Sequence, residues 1–246
     1  MTTLDTDLAQ TWVRRWDAQQ EFYVADREER FAVIADIVAN TTTTGTVVDL
    51  GCGPGSLAGR LAERLPAARI IGVDADPLLL AMARGRYGTV EFVDADLSGA
   101  SWLDQIPAAV DAAVSTTALH WLTPEQLAGV YQALADRIRP GGVFVNGDHL
   151  GLADPELDKL AAAVRHGRAA RVGVTDNGEW GAWWAAVEAE PALAGLLSER
   201  SQRTVAHHGS NHLSVVEHRD LLLSVGFRSA APVWQTGDDH VLVAIR

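Results

Sequence analysis

The chain has 246 residues and a formal net charge of −12, with Lys159 as its only lysine. With 48% hydrophobic residues it can bury one sizeable core, which excludes disorder; its acidity counts against nucleic acid, whose binding needs a basic patch. A single cysteine, Cys52, excludes an intrachain disulfide or a cysteine-rich zinc site, and no apolar run approaches the roughly 18 residues of a membrane span.

Residues 1–44 form a helical N-terminal zone. Leu8, Trp12 and Trp16, then Phe31, Ile34, Ile37 and Val38, recur at helical spacing. The polar stretch Met1 to Gln20 has no signal-peptide core, so a cytoplasmic protein is expected. Thr41 to Thr44 and Gly45 then break the helix.

Residues 45–149 alternate short β-rich runs with helices. Strands are expected at Val47–Leu50, Arg69–Val73, Val90–Val93, Val110–Ser115 and Val143–Val145. Helices are expected at Leu57–Leu65, from Pro77 through Arg86, and from Leu127 to Arg139, the last opened by Pro124 and closed by Pro140-Gly141-Gly142. Such alternation predicts an α/β fold with a mostly parallel sheet covered on both faces.

Residues 150–213 read as a helical insertion, with helices at 155–171 and 178–199. Trp180, Trp183 and Trp184 share one helical face, which serves either the core or an aromatic substrate wall. Arg165, Arg168 and Arg171 mark either a solvated face or a carboxylate-binding one. The loop His207, His208, Gly209, His212 is too glycine- and serine-rich for a helical metal pair, and no metal is expected. In residues 214–246, Ser214 caps a helix ending at Gly226. Strands Ser229–Gln235 and Val241–Ile245 follow, joined tightly enough to be antiparallel neighbours.

The most informative segment is Val47-Val48-Asp49-Leu50-Gly51-Cys52-Gly53-Pro54-Gly55-Ser56, which joins a buried strand to a helix. Glycines there permit a sharp turn and close ligand approach at the carboxyl edge of a parallel sheet. Asp74 closes the second strand at about the 20-residue spacing where an acid meets a ribose diol; its alternative is helix capping near Pro77. The third glycine comes one place too early for the dinucleotide fingerprint, and Asp49 is ill suited to a pyrophosphate. Both features disfavour an NAD-dependent oxidoreductase.

"VVDLGCGPG" followed by "GVDADPLLL" resembles the first two motifs of class I S-adenosylmethionine (SAM)-dependent methyltransferases. "EFVDADL", "DAAVSTTALHWL" and "RPGGVF" extend the resemblance over about residues 45–149. The "ALHWL" stretch and the insertion resemble the trans-aconitate methyltransferase-like small-molecule branch. The resemblance implies a single methyltransferase domain over residues 1–246. It also implies a doubly wound, Rossmann-like, seven-stranded sheet whose last strand is antiparallel, with N-terminal helices and a helical substrate cap. SAM would be the cofactor and a small molecule the acceptor, with no nucleic acid or membrane partner. The protein would be a monomer or homodimer.

By the same resemblance, Gly51, Cys52 and Gly53 would line the methionine part of SAM, with Asp49 near its amino group. Asp74 would hold the ribose and Ala75 would border the adenine. Asp96, with Asp94 as rival, would meet the adenine amino group beside the Leu97 N–H. Ser115 and Thr116 would lie near the methionine end, and Trp12, Arg15 and Tyr23 could close over it. His120, Asp148 and His149 lie just past the fourth and fifth strands and are the candidate bases. A non-methylating SAM enzyme and a non-catalytic SAM binder are the alternatives.

Overall fold

A computed structural model describes residues 4–21, 24–173, 178–203 and 210–246. Two helices, α1 (Thr6–Glu21) and α2 (Arg27–Thr41), precede β1 (Thr46–Leu50), α3 (Ser56–Arg64), β2 (Arg69–Asp74), α4 (Pro77–Arg86) and β3 (Glu91–Asp94). Then come β4 (Val110–Thr116), α5 (Pro124–Arg137) and β5 (Ile138–His149). The insertion holds α6 (Pro155–Arg171), α7 (Gly178–Glu188) and α8 (Ala194–Ser201), and the chain continues with α9 (Val215–Ser224), β6 (Ser229–Thr236) and β7 (Asp239–Ile245).

The seven strands form one sheet in the order β3-β2-β1-β4-β5-β7-β6. β1 to β5 pair in parallel, while β7 lies antiparallel between β5 and β6. The expected doubly wound sheet with an antiparallel last strand is therefore present. β1 is almost wholly buried because helices cover both faces, which is why it reads as an apolar run interrupted by one acid. One face packs Leu50, Val73 and Phe144 against Tyr131 of α5 and Leu222 of α9. The opposite face packs Val47, Ile70 and Val145 against Phe31 and Ile34 of α2 and Leu57 of α3. A third cluster joins α1, α4, α7 and α8 through Trp12, Leu78, Trp183 and Leu196.

Local chemistry sets most boundaries. Asp76 accepts from the Leu78 and Leu79 N–H groups and Pro77 fills the first turn of α4. Thr123 with Gln126, and Ser214 with Glu217, form capping boxes at the starts of α5 and α9.

Two expected elements differ. The helix expected over 178–199 is broken: α7 ends at Glu188 and α8 starts at Ala194, with Pro191 between them unable to continue an α-helix. The α5 helix stops at Arg137 rather than Arg139, and β5 runs through Pro140-Gly141-Gly142 instead of starting at Val143. Gly141, at φ 80°, bends the strand so that its N–H reaches the Arg246 carbonyl at 2.8 Å. Pairing with the chain's last residue thus holds a segment whose local residues read as a stop.

Candidate active site

The turn after β1 holds Gly51, Gly53 and Gly55 at φ 69°, 52° and 82°, all left-handed. Non-glycine residues adopt that region only with strain. The Gly51 and Cys52 N–H groups donate to the Val73 carbonyl at 2.8 and 3.0 Å, tying the turn to the end of β2. A Cβ on Gly51 would lie 2.3 Å from the Ala118 Cβ, so the segment after β4 presses onto the turn. A Cβ on Gly53 would meet only Leu79, at 3.9 Å. Gly51 is needed for packing, whereas Gly53 leaves room for something else. Cys52 is buried and faces Gly72; burial, then the charges of Asp74 and Asp49, push its thiol pKa up.

Two carboxylates flank this turn. Asp49 is fully buried, and neither of its oxygens has a hydrogen bond of good geometry among the described residues. Burial, reinforced by the charge of Asp74 and weakly opposed by the Ala58 N–H, raises its pKa to about 7. A buried acid without a partner in a strand is costly unless a ligand completes it. Asp74 is half-buried and accepts from the Gly53 N–H at 2.7 Å and from the Asp76 N–H at 2.8 Å. Burial raises its pKa to about 6 against those backbone bonds. The carboxylate keeps acceptor capacity for a diol.

Asp94 is committed to Arg203, two residues beyond α8, at 2.6 Å, and Arg203 also reaches the Ala75 carbonyl at 3.3 Å. Asp96 is exposed and, among the described residues, accepts only the Ser98 N–H at 2.8 Å, so of the two rivals it keeps the freer carboxylate. Leu97 borders a groove of ≈ 380 Å³ with Ser98, Trp102 and Gln126. Ser115 is buried and donates to the Leu50 carbonyl at 2.8 Å, so its hydroxyl joins the ends of β4 and β1. The Thr116 hydroxyl is buried without a partner among the described residues.

Of the three candidate bases, two come together. His120 Nδ1 lies 2.9 Å from both oxygens of Asp148, whose side chain is 2% exposed. Burial lowers the His120 pKa, but the charge and hydrogen bond of Asp148 outweigh it and the net direction is up. Burial raises the Asp148 pKa, yet His120, His149 and Arg30 together bring it below the usual carboxylate range. His149 follows Asp148 in β5, so strand alternation turns its side chain to the other face. There it borders a cavity of ≈ 10 Å³ with Asp239, Arg165 and Arg168, and burial lowers its pKa against the charges of Asp239 and Asp148.

Several other candidates pack or pair elsewhere in the fold, while Trp180 and Arg171 are exposed. Trp183 is buried edge-on against Trp12, Trp16 and Trp184, a core role that Trp180, 44% exposed, does not share. Arg165 pairs with Asp238 and Arg168 with Asp26, so neither is free for a carboxylate. Arg15 stacks on Trp12. Tyr23, His207, His208 and Gly209 lie outside the described residues. Among the described residues no cluster of three or more His, Cys, Asp or Glu could hold a metal. Sequence reasoning missed Arg200, which pairs with Asp76 at 2.6 Å, and Arg203; both tie the insertion to the loops after β2 and β3.

Residues 47–142 match a family model described as a methyltransferase domain. Trans-aconitate 2-methyltransferase of Methylobacterium nodulans is 31% identical over 213 residues, 82% of this chain and 77% of that protein. Its namesake in Methylobacterium radiotolerans is 30% identical over 91% of this chain and 74% of its own length. The chain belongs to the class I SAM-dependent methyltransferases. The match to the Azoarcus trans-aconitate 2-methyltransferase reaches 39% identity but spans only about half of that relative, 49%. Human N-acetylserotonin methyltransferase, solved with SAM, shares the fold at a TM-score of 0.53 and 18% identity, covering 98% of this chain and 58% of that one.

The fit to SAM can be judged on the residues themselves. A buried carboxylate with no hydrogen bond of good geometry among the described residues suits an ammonium, an open glycine suits close approach, and an acid with acceptor capacity left suits vicinal hydroxyls. All three lie around one turn. Asp74→Ala is expected to weaken binding of S-adenosylhomocysteine (SAH) by about 1–3 kcal/mol, the size of lost charge-assisted hydrogen bonds. Calorimetry on the folded variant checks this, and unchanged affinity contradicts the ribose role.

Proposed function

We propose that this protein transfers a methyl group from SAM to a small-molecule acceptor, leaving SAH. The fully buried Asp49 beneath the glycine turn, whose oxygens have no hydrogen bond of good geometry among the described residues, carries the reading. It would hold the amino group of the methionine part. The backbone around Gly51 and Gly53 would line that part, and Thr116 would lie near its end. Asp74 would take the ribose hydroxyls. Ala75 and Leu97 would border the adenine, with Asp96 accepting from its amino group.

When bound, SAM supplies an already activated methyl, so the protein's main task is alignment. His120, held by Asp148, is the base where the acceptor arrives protonated. The relatives are named for trans-aconitate, which makes a small molecule the natural acceptor class here. The formal charge of −12 favours the same class over nucleic acid. No described helix is long and apolar enough to cross a membrane.

The test is incubation with methyl-labelled SAM and a fractionated small-molecule extract. Label is expected in a small product, with SAH formed in equal amount. SAM bound but never turned over makes the protein a non-catalytic binder. NADH binding without SAM binding returns the oxidoreductase reading.

A further inference from the structure

We infer that α6 is a self-association surface, on which a second copy of this chain docks its own α6 antiparallel to give a two-fold dimer.

The first observation is an apolar stripe left on the solvent side of α6. Leu157, Leu160 and Val164 are 49%, 64% and 51% exposed. With Gly167 and Arg171 they recur at alternating steps of three and four residues, the narrow seam of a helix that pairs with another helix. The helix has an inner face too, and it is a different one. Ala161 is buried on the turn between β6 and β7, where a Cβ on Gly237 would lie 2.5 Å from the Ala161 carbonyl oxygen. On the same side Arg165 and Arg168 hold Asp238 and Asp26. At 3.6 residues per turn the stripe centres roughly 80° round the helix from this face. The helix starts beside α9, where Gly151 bridges Ser214, and ends beside Asp26, just ahead of α2. It thus crosses the carboxyl edge of the sheet from one face to the other. Its right-handed winding turns the stripe toward the β6 edge and away from the glycine turn. The other exposed large apolar residues, Trp180, Val216, Leu223 and Val233, form no such row among the described residues.

The second observation is charge. The helix is acidic at its start, with the Asp154 cap and Glu156, and basic at its end, with Arg168 and Arg171. A parallel pair of such helices sets acid on acid and base on base, whereas an antiparallel pair sets the start of each against the end of the other. The groups are available for it. Arg171 is exposed and has no ion pair among the described residues, and Glu156 has the exposed Lys159 one turn along. The shapes agree with the charges. In the antiparallel pair Leu160 of each copy faces Val164 of the other, and Leu157 enters the hollow at Gly167. A Cβ on Gly167 would meet only the end of Arg171, at 3.3 Å. The small Ala163 and Ala170 flank the stripe and let the two backbones approach.

The sheet edge is a poorer place for a second copy. β6 is outermost, but Pro232 offers no N–H and the pairing register shifts beside it. Docking the same face of both copies closes as a two-fold, so association stops at two. A helix of 17 residues is about 25 Å long, and one such pair lies at the small end of specific interfaces, about 1,200–2,000 Å² in total. The dimer is therefore expected at micromolar concentrations, with a monomer that folds alone.

The experiment is sedimentation equilibrium on the full chain from about 1 to 300 μM, with circular dichroism and SAH calorimetry to check the fold. The mass is expected to rise from 26.3 kDa toward twice that value. Leu160→Glu is expected to weaken the dimer at least about tenfold and to leave the spectrum and SAH affinity unchanged, because the residue is exposed in the single chain. Arg171→Glu should weaken it roughly 3- to 10-fold. Adding Glu156→Arg to Arg171→Glu should restore it, since the acid and the base have only changed places. A mass that stays at one chain throughout overturns the inference. So does a dimer that Leu160→Glu leaves intact, which would lie on another face, or growth beyond two copies. A charge exchange that fails to restore association contradicts the antiparallel arrangement. Loss of SAH affinity in Leu160→Glu with an unchanged spectrum assigns the stripe to the ligand site and overturns it as well.

Discussion

Replacing Asp49 by asparagine is expected to raise the stability of the cofactor-free protein and to lower its affinity for SAH. The carboxylate is fully buried, and burial lifts its pKa from the ordinary 3.8 to about 7. Between those values the folded state binds more proton than the unfolded state, so stability declines as pH rises through that window and stays low above it. Removing the charge should recover on the order of 2 kcal/mol at pH 7.5, measured by urea unfolding, and flatten the pH dependence between about 4 and 7. The same change deprives an ammonium of its partner, and SAH affinity should fall roughly 10- to 100-fold by calorimetry. A variant that loses stability while keeping affinity would contradict both halves.

Arg30→Ala is expected to cost about 3–5 kcal/mol of folding stability, because it leaves Asp239 buried without its counter-charge. Arg30 reaches from α2 to the start of β7, and Gly147 of β5 makes room for it: a Cβ there would lie 3.0 Å from the Arg30 Cδ. Burial already raises the Asp239 pKa despite Arg30, and loss of Arg30 would raise it further. Joint replacement, Arg30→Met with Asp239→Leu, should restore most of the loss, since a buried ion pair is often matched by apolar residues of similar volume. Denaturant midpoints of the single and double variants decide it. A single variant within about 1 kcal/mol of the parent would show that the pair carries little.

The parts of the site legible in the sequence are those whose chemistry is local. β1, the glycine turn and Asp74 lie within about 30 residues, and backbone sterics and strand burial dictate their types directly. Pro77 and Ser214 marked helix starts because capping acts within one turn. His120 and Asp148 could each be named, but their union depends on β4 and β5 lying side by side, with Thr116 opposite Gly147. Residue types alone could not separate Asp148 from His149; strand alternation does. Arg203 and Arg200 carry no local signal because they act on Asp94 and Asp76, more than 100 residues away. The arginine spacing of α6 read as a surface or an anion site, and the partners that spend it, Asp238 and Asp26, come from distant loops. The early end of α5 is of the same kind, since the first part of β5 is held by distant partners, Val110 opposite Ile138 and Arg246 bonded to Gly141 and Gly142.

The most direct test is a crystal structure of the chain with SAH. The expected result is an SAH amino group within hydrogen-bonding distance of Asp49. The ribose should lie on Asp74, the adenine between Ala75 and Leu97, and the sulfur on the His120 side of the glycine turn. Well-ordered SAH bound elsewhere, or an Asp49 still without a partner in the complex, would contradict it.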